Sequence, residues 1–430
     1  MSEQINQNIP SIQPLEIDIN DSSTQSQIEN TTKNKEMKSS ITQASLNLYK
    51  CCIGSGILAA PFTFCEGGYL LTSFCYFLIC ILMIYSQLML LRIVDEINQP
   101  NLGFSEITRI ILGENYVYLN KLFIIIMQWG CCASYILFFM EFLEFAIYHH
   151  QDVVFSHQII YLSIAMCIII PLVFINNMTL FTKFSTIANS FIIITLIACI
   201  VYFNIELVQE VNYNDIPVAR LSNLPLVIGV ALFSFEAIGT LLEVRKSMKE
   251  PVKFPKIMTI VFSGCTLQFW IFGLLGSLSY GNTTNEIILF SLGKGAEAFQ
   301  ILYSIALIIT LPLQLLPAFH LIERMKFAKN FTREGTSGYL FRRTLLRLLQ
   351  VLAIAGLTIG IPQFSLLITF IGGLCGAVLQ FFFPLMFYLK WEWKQKPSEL
   401  GSQIYVFSMC LGCLLGLVAV ADSIYKIATQ

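Results

Sequence analysis

The sequence predicts an all-α polytopic membrane protein with eleven transmembrane helices, of which the first and the sixth are broken. Three observations predict this class. Charged residues make up 12% of the 430 residues and hydrophobic residues 56%, whereas about 25% of a soluble domain is charged. Apolar stretches near the roughly 20 residues that cross a bilayer follow one another along the chain. Glycines interrupt the first and the sixth of these stretches at corresponding places.

The N-terminal segment differs in composition from the rest. Residues 1–38 are rich in Asn, Gln, Ser and Thr and show no apolar periodicity, which predicts disorder. They lack the basic start and the apolar run of a signal peptide. We therefore expect a disordered cytosolic tail over residues 1–38 and a transmembrane domain over residues 39–430.

Eleven stretches are apolar and long enough to be transmembrane spans. They cover approximately residues 41–65, 69–92, 119–147, 158–176, 185–205, 224–243, 255–280, 296–322, 344–361, 364–389 and 402–425.

Lysine and arginine, which are enriched in cytosolic connections, predict the orientation. With a cytosolic N-terminus, 22 of the 26 fall on the cytosolic side, three on the opposite side, and Lys50 within span 1. The C-terminus is then luminal or extracellular. The sequon at Asn282 falls on the same non-cytosolic side, which is consistent with this orientation.

The sequence offers nothing for nucleic-acid binding, metal binding or catalysis. Its net charge is −1, and nothing in it suggests a nucleic-acid partner. The 13 cysteines lie mostly within apolar stretches and lack the spacing of a metal site. Walker, G-x-S-x-G and H-E-x-x-H motifs are absent. We expect no catalytic residue, no metal and no cofactor.

Span 1 contains the segment "IGSGIL", in which Gly54 and Gly56 permit unwinding and Pro61 follows. In lipid, an unwound helix is tolerated only where it is buried or lines a cavity. N–H groups at the start of a half-helix attract a carboxylate, and carbonyls at the end of one attract an ammonium group. Such a break fits a zwitterion. The alternative is that both glycines only allow close helix packing.

Span 6, "PLVIGVALFSFEAIGTLLEV", places Gly229 and Gly239 around Glu236. It begins five spans after span 1, so the two interruptions fall in corresponding places of two five-span halves. This pattern predicts an inverted-repeat transporter with its site near the midplane. An ionisable group at that depth is costly and becomes a functional candidate, although Glu236 could instead cap the broken helix.

Two long segments resemble the amino acid/auxin permease family. They are "NLYKCCIGSGILAAPFTFCEGGY" in span 1 and "FSFEAIGTLLEVRKSMKEPVKF" in span 6, with shorter similar segments in spans 3, 5 and 8. Within that family the chain is most similar to animal proton-coupled amino acid transporters and fungal vacuolar neutral amino acid exporters. Ala237 replaces the glycine that usually follows the glutamate, which implies a stiffer break and a narrower pocket.

The resemblance implies a fold like that of the bacterial leucine transporter, with ten core spans in two inverted halves and an eleventh span. We expect the backbone of Gly54, Ser55 and Gly56 to hold a substrate carboxylate. Carbonyls near Ile53 and Phe235 are expected to hold the amine.

Lys50 and Tyr135 are further candidates. Sodium-coupled members of the family carry an asparagine at the position of Lys50, and its oxygen helps to bind Na⁺. An ammonium group has no acceptor, so Lys50 is expected to replace the ion and, with Glu236, to link binding to proton movement. The alternative is that Lys50 extends along the span to the interface. Tyr135 occupies a position that faces the site in this family, and is otherwise a packing residue.

These observations together predict a secondary active transporter of small neutral L-amino acids. It is expected to be sodium-independent and proton-coupled, to work by alternating access, and to function as a monomer in the lipid bilayer. The vacuolar or lysosomal membrane is favoured over the plasma membrane. The alternative from a different class is a sensor that binds an amino acid and signals through the cytosolic tail.

Overall fold

The computed structural model describes most of the chain from Ser39 onward. The described residues are 39–99, 102–147, 156–173, 178–209, 216–293, 295–325, 328, 331, 338–392 and 400–429. The tail predicted to be disordered lies outside them. Apart from one isolated β-bridge, the regular structure in this part of the chain is helical, which confirms the all-α class.

A helix is found at each of the eleven predicted span positions. The bounds, in order of span number, are Ile41–Cys52 with Ala60–Gly67, Tyr69–Ile97, Glu114–Ile147, Ser156–Val173, Met178–Gln209, Leu224–Ser234 with Ile238–Ser247, Phe254–Tyr280, Glu297–Glu323, Tyr339–Gly360, Phe364–Ile371 continued to Phe383–Trp391, and Leu400–Thr429.

Length and apolar composition decide which of these helices can cross a membrane. Among the described residues, nine helices are long and apolar enough to cross a membrane, or ten when the bent pair of span 1 is counted as one crossing. Span 4 is represented by a shorter apolar helix. The chain is therefore a multi-pass membrane protein, and the count of eleven stays a prediction at span 4.

Span 1 is broken at its two glycines, and span 6 is broken around Glu236, between Gly229 and Gly239, as predicted. Span 1 bends by 50° between its two halves, which are separated by a 3₁₀ turn at Ser55–Ala59. Its first half begins with a capping box in which Ser40 and Gln43 satisfy each other's backbone N–H groups. The first half of span 6 ends at Ser234, and the second half begins at Ile238.

Helix packing repeats with a period of five spans. Span 5 packs against span 8, and the pair five spans further on, span 10 and span 3, packs in the same way. Span 1 packs against span 7, and the corresponding pair, span 6 and span 2, does so too. Spans 3 and 8 pack against each other, as do spans 2 and 7. With span 4 counted as a crossing, paired spans run in opposite directions because five spans separate them. This packing supports the predicted inverted repeat.

A first strap joins spans 1 and 6 on the face where span 1 begins, here called the N-terminal face. The backbone N–H of Ser39 donates to the carbonyl of Ser247 at 2.6 Å, and that of Lys249 donates to the carbonyl of Ser39 at 3.1 Å. The Ser39 and Ser247 hydroxyl oxygens are 3.0 Å apart. The start of span 1 is thus fixed to the end of span 6.

A second strap joins the same spans on the opposite face. The Arg220 backbone N–H donates to the carbonyl of Gly67 at 2.8 Å. Asn223 Nδ2 donates to Glu66 Oε2 at 2.6 Å, and Arg220 Nη1 lies 3.2 Å from the same oxygen. The end of span 1 is thus fixed to the start of span 6.

Candidate functional site

A cavity of about 50 Å³ lies between the two breaks. Seven of the eight predicted site residues line it, all except Phe235. The full lining is Lys50, Cys51, Cys52, Ile53, Gly54, Ser55, Gly56, Met127, Cys131, Tyr135, Phe233, Ser234, Glu236 and Gln314. Lys50 and Glu236, which are 186 positions apart in the chain, therefore line the same cavity.

The break in span 1 presents both backbone donors and a backbone acceptor. The N–H groups of Ser55 and Gly56 stand at the start of the 3₁₀ turn, where a helix has no internal acceptor for them. The Gly54 carbonyl accepts a hydrogen bond of 3.0 Å from the hydroxyl of Tyr303 in span 8. The hydroxyl oxygens of Ser55 and Ser134 are 2.7 Å apart. These bonds fix the unwound segment to spans 3 and 8.

Gly56 is required by a close approach to span 6. A Cβ atom added at Gly56 would lie 2.6 Å from Ser234 Oγ and 3.4 Å from the Ser234 Cα, closer than real side chains approach each other. Gly56 therefore fits both interpretations of the glycines, unwinding of the helix and close helix packing. It belongs to the break in span 1 and also packs against span 6.

Glu236 caps the second half of span 6. Its Oε1 accepts a hydrogen bond of 3.4 Å from the Gly239 N–H, one of the first donors of the helix that begins at Ile238. The carboxylate also lines the cavity. The capping role is thus present in the structure, and it does not remove the group from the site.

Phe235 lies at the break in span 6 but does not line the cavity. Its ring is fully buried, with ring centroids 5.9 Å from Tyr76 and 5.4 Å from Phe269. The side chain packs against spans 2 and 7 and holds the break in place. The carbonyls of Ser234 and Phe235 come at the end of a half-helix, where acceptors lack internal partners.

Tyr135 and Lys50 lie at the edges of the cavity. The Tyr135 hydroxyl is 3.4 Å from the position that a Gly54 Cβ would take, so it covers the break in span 1. Lys50 is exposed and forms no ion pair with any described residue. This exposure fits an ammonium group beside the cavity and also fits the interfacial alternative.

Several residues at the breaks or in the cavity lining were not predicted from the sequence. Ser134, Tyr303, Ser234 and Gln314 lie in spans 3, 8 and 6 and contact the breaks or line the cavity. Ser134 could have been found as the neighbour of Tyr135. Tyr303 could have been found by searching span 8 as the repeat partner of span 3 for a second tyrosine.

Larger spaces lie on both faces of the protein, and their linings share no residue with that of the cavity. A space of about 590 Å³ on the N-terminal face is lined by Lys121, Pro317 and Gly239, the donor to Glu236. A space of about 190 Å³ on the opposite face includes Glu66 of the second strap. Pockets that hold small molecules usually measure about 300–1,000 Å³, so the 50 Å³ cavity is too small for an amino acid in this conformation.

Comparison with known proteins gives a consistent result. The pattern of the family described as transmembrane amino acid transporter protein matches residues 37–427. The chain is 26% identical over 411 residues to Vacuolar amino acid transporter 4 of Saccharomyces cerevisiae, and the match covers 88% of this chain and 56% of that protein. It is 24% identical over 355 residues to Vacuolar amino acid transporter 3 of Schizosaccharomyces pombe, covering 81% and 53%.

A plant protein matches over nearly its whole length. Amino acid transporter ANT1 of Arabidopsis thaliana is 25% identical over 416 residues, which is 90% of this chain and 91% of that protein. By contrast, the chain spans about half the length of the two yeast proteins.

Proposed function

This chain belongs to the transmembrane amino acid transporter protein family, and on that premise we propose that it is a secondary active transporter of small neutral L-amino acids. The observation that carries the proposal is the meeting of two broken spans at one cavity. Broken helices facing each other in a membrane supply donors for a carboxylate and acceptors for an ammonium group, which together recognise a free amino acid.

Each end of the substrate would bind one kind of backbone group. The N–H groups of Gly54, Ser55 and Gly56 would hold the carboxylate, since this turn begins with unpaired donors. Carbonyls near Ile53 and Phe235 would hold the amine. Binding requires the breaks to separate, because the cavity is about 50 Å³ in this conformation.

Side chains around the cavity favour an uncharged substrate. Met127, Cys131 and Phe233 supply apolar surface, and Tyr135 and Gln314 supply neutral hydrogen-bonding groups. A charged substrate side chain would meet no dedicated counter-ion there except the two groups that the proposal assigns to coupling, Lys50 and Glu236.

Coupling would depend on Glu236 and Lys50. A carboxyl group that caps the mobile half of span 6 and faces the cavity can take up or release a proton as the cycle proceeds. Lys50 would occupy the place and charge of a sodium ion, so transport would be independent of sodium. The space of about 590 Å³ that reaches Gly239 would be the route to the N-terminal face.

The names of relatives and the position of the breaks bear on the membrane of residence and the assembly. The two yeast relatives carry vacuolar in their names, which favours the vacuolar membrane for this chain, with a cytosolic N-terminus. Spans 1 and 6 of the same chain supply both breaks, which is compatible with a functional monomer.

Uptake into proteoliposomes tests the proposal. Purified protein should take up small neutral amino acids, with accumulation driven by an imposed proton gradient and not by a sodium gradient. Vesicles of the same lipid without protein give the background. Binding without flux would favour the sensor, sodium-driven uptake would refute the assigned coupling, and uptake of acidic or basic amino acids alone would refute the substrate class.

A further inference from the structure

The break in span 6 leaves a backbone carbonyl that the helix cannot satisfy. In an unbroken helix the Leu232 carbonyl would accept the N–H of Glu236. Here the Glu236 N–H is directed to the Phe233 carbonyl at 3.4 Å. The Leu232 carbonyl instead accepts a hydrogen bond of 3.1 Å from Nε2 of Gln380 in span 10. Gln380 is fully buried.

Span 10 is shaped to bring Gln380 to this carbonyl. Two π-helical turns, at Gly372–Gly376 and Val378–Phe382, interrupt it, and single π turns in α-helices are found frequently at functional sites. A Cβ added at Gly376 would lie 3.1 Å from the Leu232 carbonyl oxygen. The backbone of span 10 therefore approaches the end of the first half of span 6 directly.

Two other contacts fix the position of Gln380. A side chain at Gly372 would overlap the carbonyl oxygen of Gly229. Spans 10 and 6 therefore pack backbone to backbone here, one turn from the contact between Gly376 and Leu232. The Ser86 hydroxyl of span 2 donates to the Gln380 backbone carbonyl. The glutamine is thus held between spans 2, 6 and 10, and its amide is directed at the break.

We propose that Gln380 is a positioning residue for transport, which rests on the function proposed above. Its amide replaces the missing backbone donor at Leu232 and so fixes the end of the first half of span 6. Phe233 and Ser234, the next two residues, line the cavity, and Ser234 is packed against Gly56. Gln380 does not line the cavity and acts on the substrate only through this segment.

A role in general helix packing would give a different result from a positioning role. Loss of packing lowers the amount and the thermal stability of the protein, and the affinity of what remains is unchanged. Loss of positioning raises KM because Phe233 and Ser234 move relative to span 1. Gln350 offers a matched control, since it is buried in span 9 and its amide donates to Leu346 within its own helix.

The test measures counterflow of labelled amino acid with equal pH on both sides of the vesicle. Gln380→Met, which keeps length and removes the donor, should raise KM about tenfold, because it leaves the buried Leu232 carbonyl without its donor. Gln350→Met should stay within about twofold of wild type. A KM for Gln380→Met equal to that of wild type, or a fall in maximal rate alone, would overturn the proposal.

Gln380→Glu supplies a second reading if the Met variant does not fold. A protonated carboxyl can donate to the Leu232 carbonyl and a carboxylate cannot. Burial raises the pKa of a carboxyl group, so the group is protonated at pH 5 and the KM of this variant should there be near that of wild type. A KM about tenfold above that of wild type at pH 5 would overturn the proposal.

The outcome for wild-type protein separates the two hypotheses. Absence of wild-type counterflow would refute transport itself, and amino-acid-dependent thermal stabilisation then provides the same affinity ratio for wild type and Gln380→Met. Active wild type with an unchanged Gln380→Met variant would refute only the positioning role.

Discussion

Span 1 comes apart where glycines remove side chains, whereas span 6 comes apart where side chains replace missing backbone hydrogen bonds. At the first break, Gly56 lies so close to Ser234 that a Cβ atom would be 2.6 Å from its hydroxyl oxygen. At the second, no glycine lies between Ser234 and Ile238, and the carboxylate of Glu236 caps the following half-helix.

The difference shows that the two breaks would respond to different changes. The break in span 1 is fixed by steric fit, so it is sensitive to the volume of a side chain. The break in span 6 is held by polar side chains, one of which is ionisable, so it is sensitive to protonation. We therefore expect substitutions for size to act mainly at span 1 and substitutions for charge to act mainly at span 6.

The largest effect is expected for Gly56→Val. The branched side chain would overlap Ser234 and restrict the backbone of the unwound turn, so uptake should fall to the background of empty vesicles while the protein is still inserted. Gly264→Val is the matched control, because a Cβ at Gly264 in span 7 has nothing within 4 Å. Normal uptake by Gly56→Val would show that this break does not form the site.

Glu236→Gln should separate exchange from accumulation. The amide keeps the shape and an oxygen acceptor for the Gly239 N–H but cannot titrate. Counterflow should remain within about threefold of wild type, and accumulation driven by a pH gradient should disappear. Accumulation that survives unchanged would assign Glu236 to capping alone. The break in span 6 would then not be sensitive to protonation, contrary to the contrast drawn above.

Lys50→Ala should reduce uptake by about tenfold, the effect of removing roughly one charge-assisted interaction. Wild-type uptake should be unaffected when Na⁺ is replaced by K⁺ or choline, and Lys50→Asn should be less impaired than Lys50→Ala. If all three proteins transport alike, the side chain only reaches the interface, as its exposure also allows.

The smallest effect is expected for Tyr303→Phe, which removes the hydrogen bond to the Gly54 carbonyl. One neutral hydrogen bond contributes about 1 kcal/mol, so KM should rise about fivefold with little change in stability. Tyr388→Phe is the control. The Tyr388 hydroxyl oxygen is 2.7 Å from that of Ser402, and neither residue lines the cavity. Equal effects of the two substitutions would indicate general packing.

Properties that depend on a short stretch of chain could be predicted from the sequence. Span positions follow from local hydropathy, and the break in span 1 follows from two glycines and a proline within eight residues. The candidate residues of that break are consecutive, so a single local pattern identifies them together. The break in span 6 follows from a second local pattern and its distance from the first.

Properties that depend on contacts between distant spans could not be predicted. The repeat could point to a tyrosine in span 8, but only packing shows that Tyr303 meets Gly54 and that Gln380, one of many polar residues in apolar helices, meets Leu232. The direction of the Phe235 ring depends on the cluster with Tyr76 and Phe269. Hydropathy likewise cannot show how far Lys50 extends from its helix.

The two straps have a mechanical consequence for the broken spans. Each span consists of two rigid rods with a joint at residues 53–54 or 235–237, and the straps at Ser39 and Gly67 join the rod ends into a closed loop. Four rods and four joints make a four-bar linkage, in which one angle determines the others when the rods move in a plane. A change in the bend of span 1 therefore changes the angles at both straps and at the break in span 6 as well.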